Sequence, residues 1–160
     1  MIFQPLNFNT LEQSLQLRRK VFPDINKNEE NDMKYSLDFD KYKETLVKEF
    51  GISTIKYYTL LDNNKVIGLT GLYTEKGDLK KNIWLGWFCI DDSYRGKKLG
   101  NLLLEESLKL IPSNKLTLHL YTYDSDYFKP AIGLYLKYDF KEYKIKGQNK
   151  GYLFFKKELK

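Results

Sequence analysis

Residues 88–110 read FCIDDSYRGKKLGNLLLEESLKL. The stretch begins apolar at Phe88 and ends as an amphipathic helix near Leu110, with Arg95-Gly96-Lys97-Lys98-Leu99-Gly100 at the join. A strand that enters a glycine-bearing loop and then a helix is anion-binding geometry. The first N–H groups of a helix have no intrahelical acceptor, and the helix dipole adds roughly half a positive charge there. Gly96 and Gly100 let the backbone approach a ligand with no Cβ in the way. Arg95, Lys97 and Lys98 add charge around that approach. The loop is not a P-loop, which needs Gly-Lys followed by Ser or Thr, nor a three-glycine dinucleotide fingerprint. On these residues alone, a phosphate seat and a plain strand–helix turn with solvated lysines remain equally open.

Working outward, "IWLGWFCI" (Ile83–Ile90) is a nearly continuous apolar strand of the kind found at a sheet centre. After the loop, Leu102, Leu103, Ser107, Leu108, Leu110 and Ile111 predict a buried stripe on one helix. Upstream, "STIKYYTLLDNNKVIGLTGLY" is β-rich on both sides of Asp62-Asn63-Asn64-Lys65 and reads as a hairpin. The N-terminal "MIFQPLNF" predicts a first strand, and Thr10 with Gln13 a capping-box start for a helix that Pro23 stops. Asp24–Asp38 reads as a polar loop, followed by a helix to Phe50 with Gly51 beyond its end. Downstream, "KLTLHLYTY" alternates, with Leu116, Leu118 and Leu120 on one face. Pro130 opens a further helix, and "FKEYKI" and "GYLFFKKEL" make a final hairpin. The expected fold is α+β: one domain over residues 1–160, with a mixed central sheet of about seven strands and about four flanking helices.

At 42% apolar and 16% aromatic, the chain is composed to fold rather than stay disordered. It has no apolar run of transmembrane length. The first ten residues carry no basic segment followed by an apolar one, so the expected location is the cytoplasm and no membrane is expected as a partner. One cysteine, Cys89, and one histidine, His119, cannot close a protein-only zinc site, so no metal is expected. The net charge of +6 is unevenly placed. Residues 1–80 hold 12 cations and 12 anions, and residues 81–160 hold 15 and 9. The excess lies mostly in Lys141–Lys160, where lysines keep an edge solvated. Nucleic acid is therefore not the expected partner.

The segment "IDDSYRGKKLGNLLLEE" resembles the acyl-CoA-binding motif of the GNAT superfamily of acyl-CoA N-acyltransferases. That motif runs Arg or Gln, two residues, Gly, one residue, Gly or Ala. Arg95 and Gly100 match its ends, and Lys98 stands where its first glycine usually is. A Lys N–H can donate there if its φ is negative. A second segment, "AIGLYLKYDF" (Ala131–Phe140), is similar to the family's later helix-to-strand motif through Ala131, Leu134, Tyr135, Lys137 and Phe140. Asp139 replaces a usual glycine, and Phe128 stands where an asparagine is common.

The resemblance implies acetyl-CoA as donor, lying where "IWLGWFCI" and "KLTLHLYTY" part. Its pantetheine would pair with backbone near Cys89, Ile90 and Asp91. Its pyrophosphate would sit on N–H groups of Arg95, Gly96, Lys97, Lys98, Leu99, Gly100 and Asn101. Tyr135 resembles the family's general acid, a phenol of ordinary pKa about 10 that protonates the leaving thiolate. The general base stays unassigned. The central strand has no acid before Asp91, and Glu75, Asp124, His119 or a water chain remain open. Cys89 reads as a small buried residue. The acceptor is expected to be a primary amine, on a small molecule or a protein. Asp24–Glu49 holds eight acids against five Lys, a rim suited to a cationic one. Tyr57, Tyr58, Tyr73, Trp84 and Trp87 either shape its pocket or fill the sheet faces. Two rival readings are an acyl-CoA-binding module without turnover and a basic nucleic-acid-binding domain. The final hairpin is an edge that a homodimer could use.

Overall fold

The computed structural model describes residues 1–23, 27–148 and 150–159. Residues 24–26 of the expected acidic loop, Asn149 of the final turn and Lys160 lie outside the described residues. Among the described residues, seven strands form one mixed sheet in the order β1-β2-β3-β4-β5-β7-β6. The first four, β1 (Ile2–Pro5), β2 (Ile52–Asp62), β3 (Lys65–Glu75) and β4 (Asn82–Ile90), are antiparallel neighbours. The predicted β2–β3 hairpin turns on Asn63 and Asn64, at φ 47° and 65°, a left-handed pair that asparagine tolerates. From β4 to β5 (Thr117–Tyr123) the pairing is parallel. That step needs a crossover, which α4 (Leu99–Lys109) supplies. β7 (Tyr152–Glu158) then lies between β5 and the edge strand β6 (Lys141–Tyr143).

The apolar run of β4 takes the middle position because helices cover both faces. On one side, α1 (Phe8–Val21), α2 (Asn31–Ser36) and α3 (Phe39–Phe50) bury Leu15, Val21, Met33 and Leu46 against Ile55, Leu69 and Cys89. On the other, α4 and α5 (Lys129–Lys137) bury Leu104 and Tyr135 against Leu85, Leu118 and Phe155. Among the described residues no helix is long and apolar enough to cross a membrane.

Three local expectations are corrected. Among the described residues there are five α-helices, and the segment read as loop is mostly a 3-10 turn at Lys27–Glu30 followed by α2. Nothing local announces α2: it is six residues long and has no side-chain cap at its start. Tertiary contacts hold it, through fully buried Met33 and the Asp32–Arg18 ion pair. The start of α1 is capped by Asn7, not Thr10. Its Oδ1 accepts from the Asn9 and Thr10 N–H groups, and the Asn7 N–H donates to Thr10 Oγ1. Finally, α4 buries Leu103, Leu104 and Ser107, while Leu110 lies beyond its end and is exposed.

Candidate active site

The strands β4 and β5 pair only at Asn82, Ile83 and Trp84, opposite Thr117, Leu118 and His119. Beyond Trp84 the edge of β4 that faces β5 has no ladder partner. The cause is local: the β3–β4 register shifts between Leu69 and Gly71, and Trp87 takes φ +50°. A bulky side chain in the left-handed region is strained and persists only where its surroundings fix it. Here the Arg18 guanidinium lies 4.0 Å over the Trp87 ring, Phe22 packs edge-on at 5.2 Å, and the indole N–H donates to Asp32 Oδ2 at 3.3 Å.

The splay opens a cavity of about 490 Å³. Phe88, Cys89 and Ile90 line it from β4; Arg95, Gly96, Lys98, Leu99, Gly100 and Asn101 from the loop and α4; Ala131 and Leu134 from α5. Most of the residues predicted to hold acyl-CoA therefore share one wall. The first turn of α4 has no side-chain cap, which leaves its N–H groups available to a ligand. Arg95 is steered by Asp92 at 3.0 Å and by the Tyr127 ring at 4.5 Å.

Two predicted residues do not join that wall. Lys97 stands over the Tyr94 ring at 5.0 Å. The Asp91 backbone is already engaged: its N–H donates to Ile67 O and its carbonyl accepts from the Tyr94 N–H, both at 2.8 Å. The Asp91 carboxylate instead shapes the loop, accepting from the Ser93 N–H and hydroxyl and pairing with Lys20 at 3.1 Å. Burial pushes its pKa up, but the Ser93 hydrogen bonds and Lys20 outweigh this and hold it at about 2. Lys98 also departs from expectation, because its φ is +60° and not negative. Asp139, the other residue at a usual glycine position, has φ +66°. The backbone keeps a glycine-like path without the glycine.

A second cavity, of about 440 Å³, meets the first at Phe88, Phe128 and Ala131. Its floor depends on two paired glycines, Gly71 on β3 and Gly86 on β4. A Cβ at Gly71 would come 2.7 Å from the Tyr57 ring, and one at Gly86 would come 2.8 Å from the Tyr73 ring. The missing side chains let both tyrosines lie down on the sheet. Glu29, Asp32 and Glu75 place carboxylates in the wall. Asp32 anchors a buried network: Oδ1 accepts from Arg18 Nη1 and the Met33 N–H, and Oδ2 from the Tyr57 hydroxyl and Trp87. Part of the acidic rim is thus neutralised, since Asp32 pairs with Arg18 and Glu30 with Arg19.

Tyr135 lines this second cavity. It is 4% exposed, and its hydroxyl has no hydrogen-bond partner among the described residues. Burial raises its pKa well above the phenol range, so the proton stays on. Its ring is fixed by Phe88 at 5.9 Å and Phe140 at 5.7 Å. Of the open base candidates, Glu75 reaches the cavity. Asp124 is exposed elsewhere, and His119 stacks on Trp84 at 4.8 Å with Nδ1 2.9 Å from the Tyr143 hydroxyl. Burial lifts the Cys89 thiol to about 12, consistent with an inert packed residue. Tyr57, Tyr73 and Trp87 line the cavity, whereas Tyr58 and Trp84 do not. The reading of the sequence missed Arg18, Asp32 and Phe128. The available signal was Arg18, a charge on the same helical face as Leu11, Leu15 and Phe22.

The family model for a GNAT acetyltransferase domain matches residues 53–142. Among solved structures, an acetyltransferase from Streptococcus agalactiae 2603 superposes with TM-score 0.75 at 19% identity, over 99% of this chain and 98% of that one. A GNAT-family acetyltransferase from Staphylococcus aureus Mu50 gives TM-score 0.75 at 18% identity, over 99% of both chains. The PaiA N-acetyltransferase from Thermoplasma acidophilum, in complex with coenzyme A, gives 0.67 at 17%, over 99% of this chain and 100% of that one. No curated protein matches the sequence.

Proposed function

The chain belongs to the GNAT acetyltransferase family, which are acyl-CoA-dependent N-acyltransferases, and from that premise we propose that it transfers acetyl from acetyl-CoA directly to a cationic primary amine. The observation that carries this reading is the meeting of two cavities at Phe88 and Ala131. One is walled by an unpaired strand edge and an uncapped helix start, the other by carboxylates and Tyr135. The coenzyme A bound to the Thermoplasma neighbour supports the same donor here. When bound, acetyl-CoA supplies an activated acetyl thioester.

The chain's own residues then have definable tasks. The open edge of β4 at Cys89 and Ile90 orients pantetheine, and the first turn of α4 with Arg95 takes the pyrophosphate charge. The carboxylates draw in an ammonium, which must lose a proton before it attacks. As the amide C–N bond forms and the C–S bond breaks, Tyr135 gives its proton to the departing sulfur, and the proton shed by the new amide nitrogen restores the phenol, leaving amide and free thiol.

The test is thermal stability with and without acetyl-CoA, for the natural protein and Gly100→Glu, followed by thiol release with a panel of amines. A Cβ at Gly100 already meets Leu134 Cδ2 at 3.3 Å, and the added carboxylate repels the pyrophosphate. The natural protein is expected to rise in Tm, and the folded variant to lose the rise. Failure of the natural protein to respond at millimolar acetyl-CoA overturns the reading.

A further inference from the structure

The acceptor cavity carries carboxylates at two separate places. At the inner end, Asp32 lies 3.3 Å from the Trp87 indole nitrogen, beside Gly86. At the outer end is Glu75, four residues beyond Gly71, and Gly71 is the residue that pairs with Gly86. At the usual rise per strand residue, Glu75 stands about 13 Å along the sheet from the inner end. The two carboxylates differ in kind. Asp32 is already tied to Arg18 and Tyr57. The Glu75 carboxylate makes no ion pair or hydrogen bond with any described residue, although it shares a wall with them.

The space between the ends is lined by Tyr73 and Tyr121. The Tyr73 ring lies over Gly86, offering a flat apolar track along the sheet. The near-buried Tyr135 hydroxyl, also without a partner among the described residues, closes the inner end. At the inner end Arg18 offsets Asp32, so the uncompensated negative charge lies at Glu75. Glu75 is raised by burial and then by Asp78, as expected of a carboxylate lacking a cation. Tyr121 is raised by burial, then by Tyr152 and by Glu29, Glu75 and Asp32.

We propose that the acceptor is a linear aliphatic polyamine or long α,ω-diamine, with its reacting amine beside Trp87 and Tyr135 and its distal ammonium on Glu75. This inference rests on the acetyl-transfer reading above and sharpens it. The methylenes between the two nitrogens lie along Tyr73. A monoamine fills the inner end and leaves Glu75 without a partner. A short diamine cannot reach both ends.

The experiment compares kcat/KM for octylamine, diaminopropane, diaminooctane and spermidine, with acetyl-CoA, in the natural enzyme and in Glu75→Gln. Glu75 is partly exposed, so its ion pair is screened, and a preference of about fivefold for diaminooctane over octylamine is expected. In Glu75→Gln the diaminooctane-to-octylamine ratio collapses toward one through a rise in the diamine KM, with octylamine in the same variant as the reference for any change in kcat. Added salt shrinks the preference in the natural enzyme. Equal kcat/KM for octylamine and diaminooctane overturns the proposal, as does a preference that survives Glu75→Gln. Turnover confined to aminoglycosides or protein lysines overturns it while leaving acetyl transfer intact. Absence of turnover with every amine, although acetyl-CoA raises Tm, overturns the transfer reading and this proposal with it.

Discussion

The cavities proposed for donor and acceptor are similar in size, about 490 and 440 Å³, yet they are built from different materials. The donor side is largely main chain: an unpaired strand edge, a loop and a helix start, with the rings of Phe88, Tyr94, Tyr127 and Phe128 around them. Thirteen consecutive positions, Cys89–Asn101, hold most of its polar parts. The acceptor side is made of side chains from α2, α3, β2, β3, β4, β5, α5 and β7, held by the buried Arg18–Asp32 ion pair. A main-chain site is set by backbone path and tolerates side-chain exchange, as Lys98 and Asp139 show by taking left-handed φ. A side-chain site tolerates no such exchange, because each substitution changes either the wall or what it recognises.

The contrast breaks first at Asp32. Asp32→Ala leaves Arg18, which is 0% exposed, as an uncompensated buried charge. Its expected cost is about 3–5 kcal/mol of stability, read from the denaturant midpoint. Whatever fraction remains folded should still bind acetyl-CoA, because the loss lies in the other half. A loss under about 1 kcal/mol would mean that the acceptor wall is as plastic as the donor loop.

Tyr135 sits where the halves meet, and its variant separates chemistry from packing. Tyr135→Phe should lower kcat by about a hundredfold while KM for acetyl-CoA barely moves. Stability should change by less than about 0.5 kcal/mol, since the hydroxyl has no partner to lose among the described residues. An unchanged kcat would remove Tyr135 as the acid and make it a packing residue. A large stability loss would show a hydrogen bond that the geometry does not contain.

The donor loop has its own electrostatic anchor in Asp91, and acid is the way to test it. Its pKa is depressed to about 2, against about 4 for an unfolded aspartate. A depressed carboxylate contributes stability above the unfolded value, and that contribution is lost as pH falls from about 4 toward 2. Because Lys20 is half exposed, the expected contribution is about 1–2 kcal/mol and not more. Asp91→Asn should therefore be less stable than the natural protein at neutral pH, with the difference closing in that acidic window. A difference independent of pH would assign the effect to Asn packing and not to charge.

These differences also explain what the sequence disclosed. The donor side was legible because its parts are contiguous: an apolar strand, two glycines and an amphipathic helix follow one another. The sheet was legible for the same reason, from the Asn63-Asn64 turn and the alternation around Leu118 and Leu120. The acceptor side was not. Arg18, Asp32, Tyr57 and Trp87 come from four elements, and local pattern carries no register between them. The short helix at Asn31–Ser36 was missed because packing holds it, not propensity. Asp91 was placed in the ligand wall because backbone near a motif looks available until its partners are known.

The smallest expected effect tests the claim that the donor side is a matter of backbone path. Lys98 pays a steric penalty of about 1–2 kcal/mol for its left-handed φ. Glycine removes that penalty but loses more chain entropy on folding, about 0.5–1 kcal/mol. Lys98→Gly should therefore gain about 0.5–1 kcal/mol, seen as a rise of roughly 2 °C in Tm. Lys98→Ala, which keeps the Cβ, should gain nothing. Acetyl-CoA affinity should change by no more than about twofold in the glycine variant, since the N–H remains and only one of three loop cations is lost. If both variants lose affinity equally and neither gains stability, the Lys98 charge matters more than its backbone, and the donor side too would be a side-chain site.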